Sequence, residues 1–268
     1  MGKNKNFPIG VFDSGLGGLT VVKALMRFLP NEDIIYFGDT ARVPYGTKSP
    51  ETIIRYSEQN ARILLRHKVK MIVIACNSSA SHALHILRKK FDVPIVGVIE
   101  PGVKKAISVT RNRNIGVIAT PATMNSRAYA RQIRKMDRRM RVTGQACPLF
   151  VPLVEEGWLD RRVTRDIAEI YLAKLKGARI DTLILGCTHY PLLKPVLKKV
   201  MGRRVKLIDS AQEVAFEVQA LLQGLGLARS IPRRPVYRFL VSDRPQHFRL
   251  AARKFLGYDI RSVKRALS

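Results

Sequence analysis

The sequence predicts an α/β fold of two similar α/β domains with mostly parallel sheets, related by a pseudo-twofold axis, with the active site in the cleft between them. Three observations predict it. Short apolar runs alternate with amphipathic stretches along the whole 268-residue chain, as in parallel sheets covered by helices. Two of the runs, MIVIAC at 71–76 and TLILGC at 182–187, are β-rich with little polar alternation, which suits strands buried on both faces. The chain also carries a weak internal repeat. PIGVFDSG at 8–15 resembles NIGVIATP at 114–121, and MIVIACNS at 71–78 resembles LILGCTH at 183–189. The offsets are similar, 106 residues from Gly10 to Gly116 and 111 from Cys76 to Cys187. Ligands of such sheets bind beyond the carboxyl ends of the strands. Two facing units therefore bring Cys76 and Cys187 into one cleft from opposite sides.

In chain order, strands are predicted at 7–12, 33–37, 70–75, 94–99, 114–119, 141–146, 181–186, 205–208 and 236–241. Amphipathic helices are predicted at 51–67 and 162–176. In the first of these, Ile53, Ile54, Ala61, Ile63, Leu64 and Leu65 fall on or near one face. Pro- and Gly-containing punctuation at 97–102 and 209–211 marks candidate crossovers. The expected domains are 1–99 with 210–268, and 100–209.

Composition narrows the class. Hydrophobic content of 46% and charged content of 25% are ordinary for a globular protein. No apolar run approaches the roughly 18–20 residues that span a bilayer. The opening MGKNKNFPIGVFDSG lacks the long apolar region of a signal peptide, so the expected location is cytoplasmic, without membrane association. Three widely spaced cysteines, Cys76, Cys147 and Cys187, fit a chain with reduced thiols. The net charge is +28, and it clusters: between 102 and 145 Asp137 is the lone acid among many lysines and arginines. This predicts weak, non-specific attraction for nucleic acids. Zinc-finger spacing and RNA-binding signatures that would turn attraction into recognition are missing.

The chemistry gathers in four loops. DSGLGG at 13–18 follows a strand and opens a helix, and its glycines let backbone N–H groups approach a carboxylate or other small anion. Its spacing fits neither a dinucleotide fingerprint nor a phosphate-binding P-loop. Asp13 can also serve as a helix N-cap. VPYGTKSP at 43–50 offers the Tyr45 hydroxyl and the open backbone of Gly46, with Asp39 shortly before it. ACNSSAS at 75–81 places Cys76 at a helix N-terminus, where the dipole is expected to draw a thiol pKa down toward neutrality. Asn77 and Ser78 supply donors beside it. GCTHYP at 186–191 repeats the arrangement with Cys187, Thr188 and His189. Zinc is a poor fit, because each loop holds one cysteine and Cys-x-His chelates badly. Two thiols across an anion-binding cleft suit proton transfer at a stereocentre, with a base on one face and an acid on the other. Preorganised donors must then stabilise the developing carbanion.

With DSGLGG, the PYG of VPYG, ACNSSA, VIEP, CPLFVPLVEEG, GCTHYP and IDS in this order, the chain resembles the bacterial glutamate racemases over nearly its whole length. The resemblance implies interconversion of L- and D-glutamate for peptidoglycan, without pyridoxal phosphate, another cofactor or a metal, and a homodimer. It implies that Cys76 acts on D-glutamate and Cys187 on L-glutamate, and that Asp13 and His189 assist the thiols. It further implies substrate contacts at Asp13, Ser14, Tyr45, Gly46, Asn77, Ser78, Thr188 and His189, with Asp39 and Glu155 as secondary positions. Two stretches depart from the commonest family pattern. ACNS stands for the more usual ACNT, and IATPAT at 118–123 replaces a Gly-richer version, which weakens a role for Thr120 or Thr123. Cys147 reads as a packed thiol.

Overall fold

The computed structural model describes residues 4–229 and 233–266. The strands are β1 (Ile9–Asp13), β2 (Ile34–Gly38), β3 (Met71–Ile74), β4 (Ile95–Gly97), β5 (Asn114–Ala119), β6 (Arg141–Ala146), β7 (Thr182–Gly186), β8 (Lys206–Asp209), β9 (Tyr237–Val241) and β10 (Lys264–Arg265). The helices are α1 (Leu19–Phe28), α2 (Pro50–Arg66), α3 (Asn77–Lys90), α4 (Ile99–Val109), α5 (Pro121–Asn125), α6 (Ala128–Met136), α7 (Phe150–Glu155), α8 (Arg162–Gly177), α9 (Lys194–Met201), α10 (Ser210–Gly224) and α11 (Pro245–Leu256). All nine predicted strands are present. The two-residue β10 is an addition, too short for any periodic signal.

Two parallel sheets result. One has the order β10-β9-β2-β1-β3-β4 and the other β6-β5-β7-β8. The core of the first, β2-β1-β3-β4, repeats as β6-β5-β7-β8. The register repeats as well. Gly10 pairs with Ile72 and Gly116 with Leu183, and each cysteine lies four residues beyond the glycine's partner. The internal repeat of the sequence is thus a repeat of strand order and height. Strands β1, β2, β3 and β7 are buried at every position, which is why they read as continuous apolar runs. Strand β6 lies at a sheet edge and is partly exposed, consistent with its polar sequence RVTGQA.

Helix starts follow local chemistry. Ser49 caps α2 by accepting from the Thr52 N–H at 3.3 Å, with Pro50 in the first turn. Asp209 caps α10 through the Ala211 N–H at 2.9 Å. Helix α10 then packs on both α1 and α4. Among the described residues no helix is long and apolar enough to cross a membrane.

A buried ion pair anchors one end of the first half. Lys70 Nζ lies 2.5 Å from Glu32 Oε2 and donates to the carbonyls of Lys5 and Leu227 at 2.8 Å. Glu32 Oε1 accepts from the Arg229 N–H at 2.9 Å. Removing one member strands the other charge in the interior. Lys70→Ala is therefore expected to lower unfolding stability by about 3–5 kcal/mol, read from the urea midpoint. A loss below about 1 kcal/mol, as for an exposed pair, would contradict this assignment.

Candidate active site

The two halves meet over a small cavity lined by Ser14, Val43, Pro44, Tyr45, Gly46, Cys76, Asn77, Ser78, Thr120, Val151, Cys187, Thr188 and His189. Cys76 follows β3 and caps α3, and Cys187 follows β7. Both sulphur-bearing residues are almost fully buried, at 5% and 7% exposure. The matching register in the two sheets puts each of them in the loop that follows the central strand's neighbour, and both loops reach the cavity.

On the Cys76 side, Sγ lies 3.7 Å from Ser14 Oγ and accepts from the Ser79 N–H at 3.5 Å. The helix-terminal contact expected from the sequence is present, but its expected effect is reversed. Burial, and then the charge of Asp13, push the Cys76 thiol up to about 11, against the pull of Ser79 and Ser14. Desolvation outweighs a few hydrogen bonds at a closed site. Asp13 is itself fully buried. Burial raises its carboxyl above the usual range, against the His189 charge and the N–H groups of Gly15, Gly18 and Ser14. It does not cap α1, whose N-cap is Gly18. Its Oδ2 instead accepts from the Gly15 N–H at 3.0 Å, and its Oδ1 from Thr188 Oγ1 at 3.5 Å across the cleft.

On the Cys187 side, Sγ lies 3.8 Å from His189 Nδ1, and His189 Nε2 is 3.0 Å from Glu155 Oε1. Burial disfavours the imidazolium. Hydrogen bonding to Cys187 and Glu155 overcomes this and holds the His189 pKa up at about 10. Helix α11 closes this side: Phe255 meets the imidazole edge-on at 5.6 Å, and Lys254 Nζ donates to the Glu155 carbonyl at 2.9 Å. Glu155 thus contacts His189 and does not line the cavity.

The remaining predicted residues separate by what they touch. Tyr45 lines the cavity, with its hydroxyl donating to Asp39 Oδ2 and accepting from Asn60 Nδ2. Asp39 is buried and also accepts from Arg42 Nε at 2.6 Å and Ser242 Oγ at 2.9 Å. It holds Tyr45 rather than facing the cavity. Asn77 Oδ1 accepts from the Tyr129 hydroxyl at 2.7 Å, so its amide nitrogen is the end left for a ligand. Ser78 Oγ shares hydrogens with Thr120 Oγ1 at 3.0 Å and Thr123 Oγ1 at 3.3 Å. Val43, Pro44, Thr120 and Val151 line the cavity outside the predicted set. Thr120 fell outside because its stretch departs from the family pattern, and Val151 because a valine carries no chemical signal. Cys147 is fully buried, its thiol lies 3.7 Å from the Gln145 carbonyl, and burial raises it far above the ordinary range. Among the described residues no group of three or more His, Cys, Asp or Glu is placed to hold a metal ion.

Gly17 is where the DSGLGG loop meets the second half. A Cβ there would stand 2.2 Å from Thr188 Oγ1 and 2.5 Å from His189 Nδ1. Gly17→Ala is expected to lower catalytic efficiency about a hundredfold, because displacements near 1 Å at a reacting site cost that much. Thermal melting should show the fold retained. Full activity in the variant would mean that the loop does not set the position of Thr188 and His189.

Fold and site together define a class: α/β proteins of two like halves enclosing one cavity with a thiol from each half. The sequence model of the Asp/Glu/Hydantoin racemase family matches residues 9–218. The glutamate racemase of Geobacter metallireducens is 50% identical over 255 residues, 95% of this chain and 94% of that one. The crystal structure of glutamate racemase from Francisella tularensis in complex with D-glutamate is 43% identical with a TM-score of 0.91, covering 98% of both chains. Glutamate racemase isoform RacE1 from Bacillus anthracis gives a TM-score of 0.95 at 38% identity, again over 98% of both. The chain belongs to the Asp/Glu/hydantoin racemase family, and it is an amino-acid racemase, an isomerase.

Proposed function

We propose that the chain interconverts L- and D-glutamate by moving one proton between Cys76 and Cys187, supplying D-glutamate for peptidoglycan in the cytoplasm. The observation that carries this reading is the pair of buried thiols at equivalent positions of the two halves, lining one cavity. In the L-to-D direction the Cys187 thiolate takes the Cα proton. The Cys76 thiol then delivers its own proton to the opposite face. The reverse reaction exchanges the roles, as acid–base symmetry requires. His189, held by Glu155, places positive charge beside Cys187. Asp13 and Ser14 assist at Cys76. Asn77, Ser78, Thr188 and the backbone at Gly46 are the groups proposed to bind the substrate's polar ends and stabilise the carbanion. The reaction as written needs no cofactor or metal. The glutamate named in the Francisella complex supports glutamate as the substrate.

The proposed domains remain 1–99 with 210–268, and 100–209, with a homodimer as the assembly. The net charge of +28 supports no more than weak, sequence-blind attraction for nucleic acids.

The test is L-glutamate with the purified protein in D₂O and no added cofactor. The optical signal should decay to zero, with solvent deuterium at Cα of the D-product. An undiminished signal would refute glutamate as the substrate.

A further inference from the structure

Ser79 is the third residue of α3, the helix capped by Cys76. It is fully buried, and its hydroxyl has no hydrogen-bond partner. Other serines on these helices behave differently. Ser57 donates to the Ile53 carbonyl at 2.7 Å and Ser81 to the Ser78 carbonyl at 2.9 Å, the usual local solution for a helical hydroxyl. A buried hydroxyl left empty is disfavoured and calls for a partner in some other state of the molecule.

We propose that Ser79 is a positioning residue for Cys76, its hydroxyl donating to the thiolate that Cys76 becomes during proton transfer. This rests on the reading of Cys76 as a proton carrier. The Ser79 N–H already points at the sulphur at 3.5 Å. Ser79 occupies the helical position whose N–H bonds the capping side chain, so its own side chain starts close to the sulphur. A thiol sulphur is a weak acceptor, whereas a charged acceptor forms the stronger, shorter bond. The hydroxyl is therefore empty in the thiol form and filled in the thiolate form. Once the sulphur is charged, the Ser79 hydroxyl joins the Ser79 N–H in pulling the Cys76 thiol down, against burial and Asp13. The titratable groups that face Cys76 from other elements are Asp13 at the end of β1 and Tyr36 on β2, with Cys187 and His189 across the cavity.

The experiment is alkylation of the full-length protein by iodoacetamide between pH 7.5 and 10, with modification assigned to Cys76 by peptide mapping. Only the thiolate reacts. Ser79→Ala is expected to move the profile alkaline by about one unit, the scale of one hydrogen bond to the charged form, so that alkylation at any pH below the break slows about tenfold. Ser79→Thr, which keeps the hydroxyl, should restore the wild-type rate. The melting temperature of Ser79→Ala should be unchanged or higher, since an empty hydroxyl is removed. An unmoved profile, or Thr behaving as Ala, overturns the coupling. Racemisation by Cys76→Ala would instead overturn the role of Cys76, so the two failures are distinguishable.

Discussion

Cys76→Ala and Cys187→Ala are each expected to lose racemisation by a factor of at least about 10³, within the range supplied by a positioned acid or base, while each keeps half of the chemistry. A racemase that has lost one thiol can still remove and return a proton on the remaining face. In D₂O, Cys187→Ala should therefore exchange the α-proton of D-glutamate alone, through Cys76, and Cys76→Ala that of L-glutamate alone, through Cys187. Each thiol is buried and enters the cavity from its own half, so in the proposed reaction each serves one face of the substrate. Magnetic resonance of the recovered enantiomers reads the exchange directly. Exchange of both enantiomers by a single variant would refute the assignment of one thiol to each face.

His189→Ala is expected to lower kcat/KM by about two orders of magnitude at neutral pH, and by the same factor in both directions. The equality follows from the substrate. Enantiomers have equal free energy in water, so the equilibrium constant is unity and the two values of kcat/KM cannot diverge. A role at Cys187 shows itself instead in how kcat and KM change separately, with the larger change in kcat expected from L-glutamate. The sign of the pH dependence is set by the raised pKa of His189. Its imidazolium persists through neutrality and is lost as pH rises through about 10. The wild-type rate should fall on that alkaline limb, and the limb should be missing in the variant. A variant that keeps the limb would assign it to another group, either the substrate's own ammonium or the Cys76 thiol near 11.

Much of this architecture was legible because the strands are buried on both faces. Burial of every position in β1, β3 and β7 forces apolar runs, and their repetition disclosed the two halves together with the two loops that hold Cys76 and Cys187. What escaped the sequence depends on direction and on solvent. The Tyr45 hydroxyl turns toward Asp39 and Asn60, and nothing in VPYG distinguishes that from turning toward a ligand. The helix dipole at Cys76 is readable from ACNSSAS, but the desolvation that overrides it belongs to the closed cavity. Thr120 joins Ser78 across 42 residues of chain, a contact without periodicity. The vacant hydroxyl of Ser79 is visible only when every neighbouring acceptor has been located.

The burial of both sulphurs has a kinetic consequence. In the proposed reaction each turnover from L to D leaves the enzyme in the opposite tautomer, its proton now on Cys187 and missing from Cys76. That form is ready for D-glutamate and cannot accept L-glutamate. Thiols open to solvent would reset at once, whereas these sit where water has little access. In that reaction the free enzyme would carry a record of the enantiomer it last released, and at high substrate concentration erasing that record would set the pace of turnover.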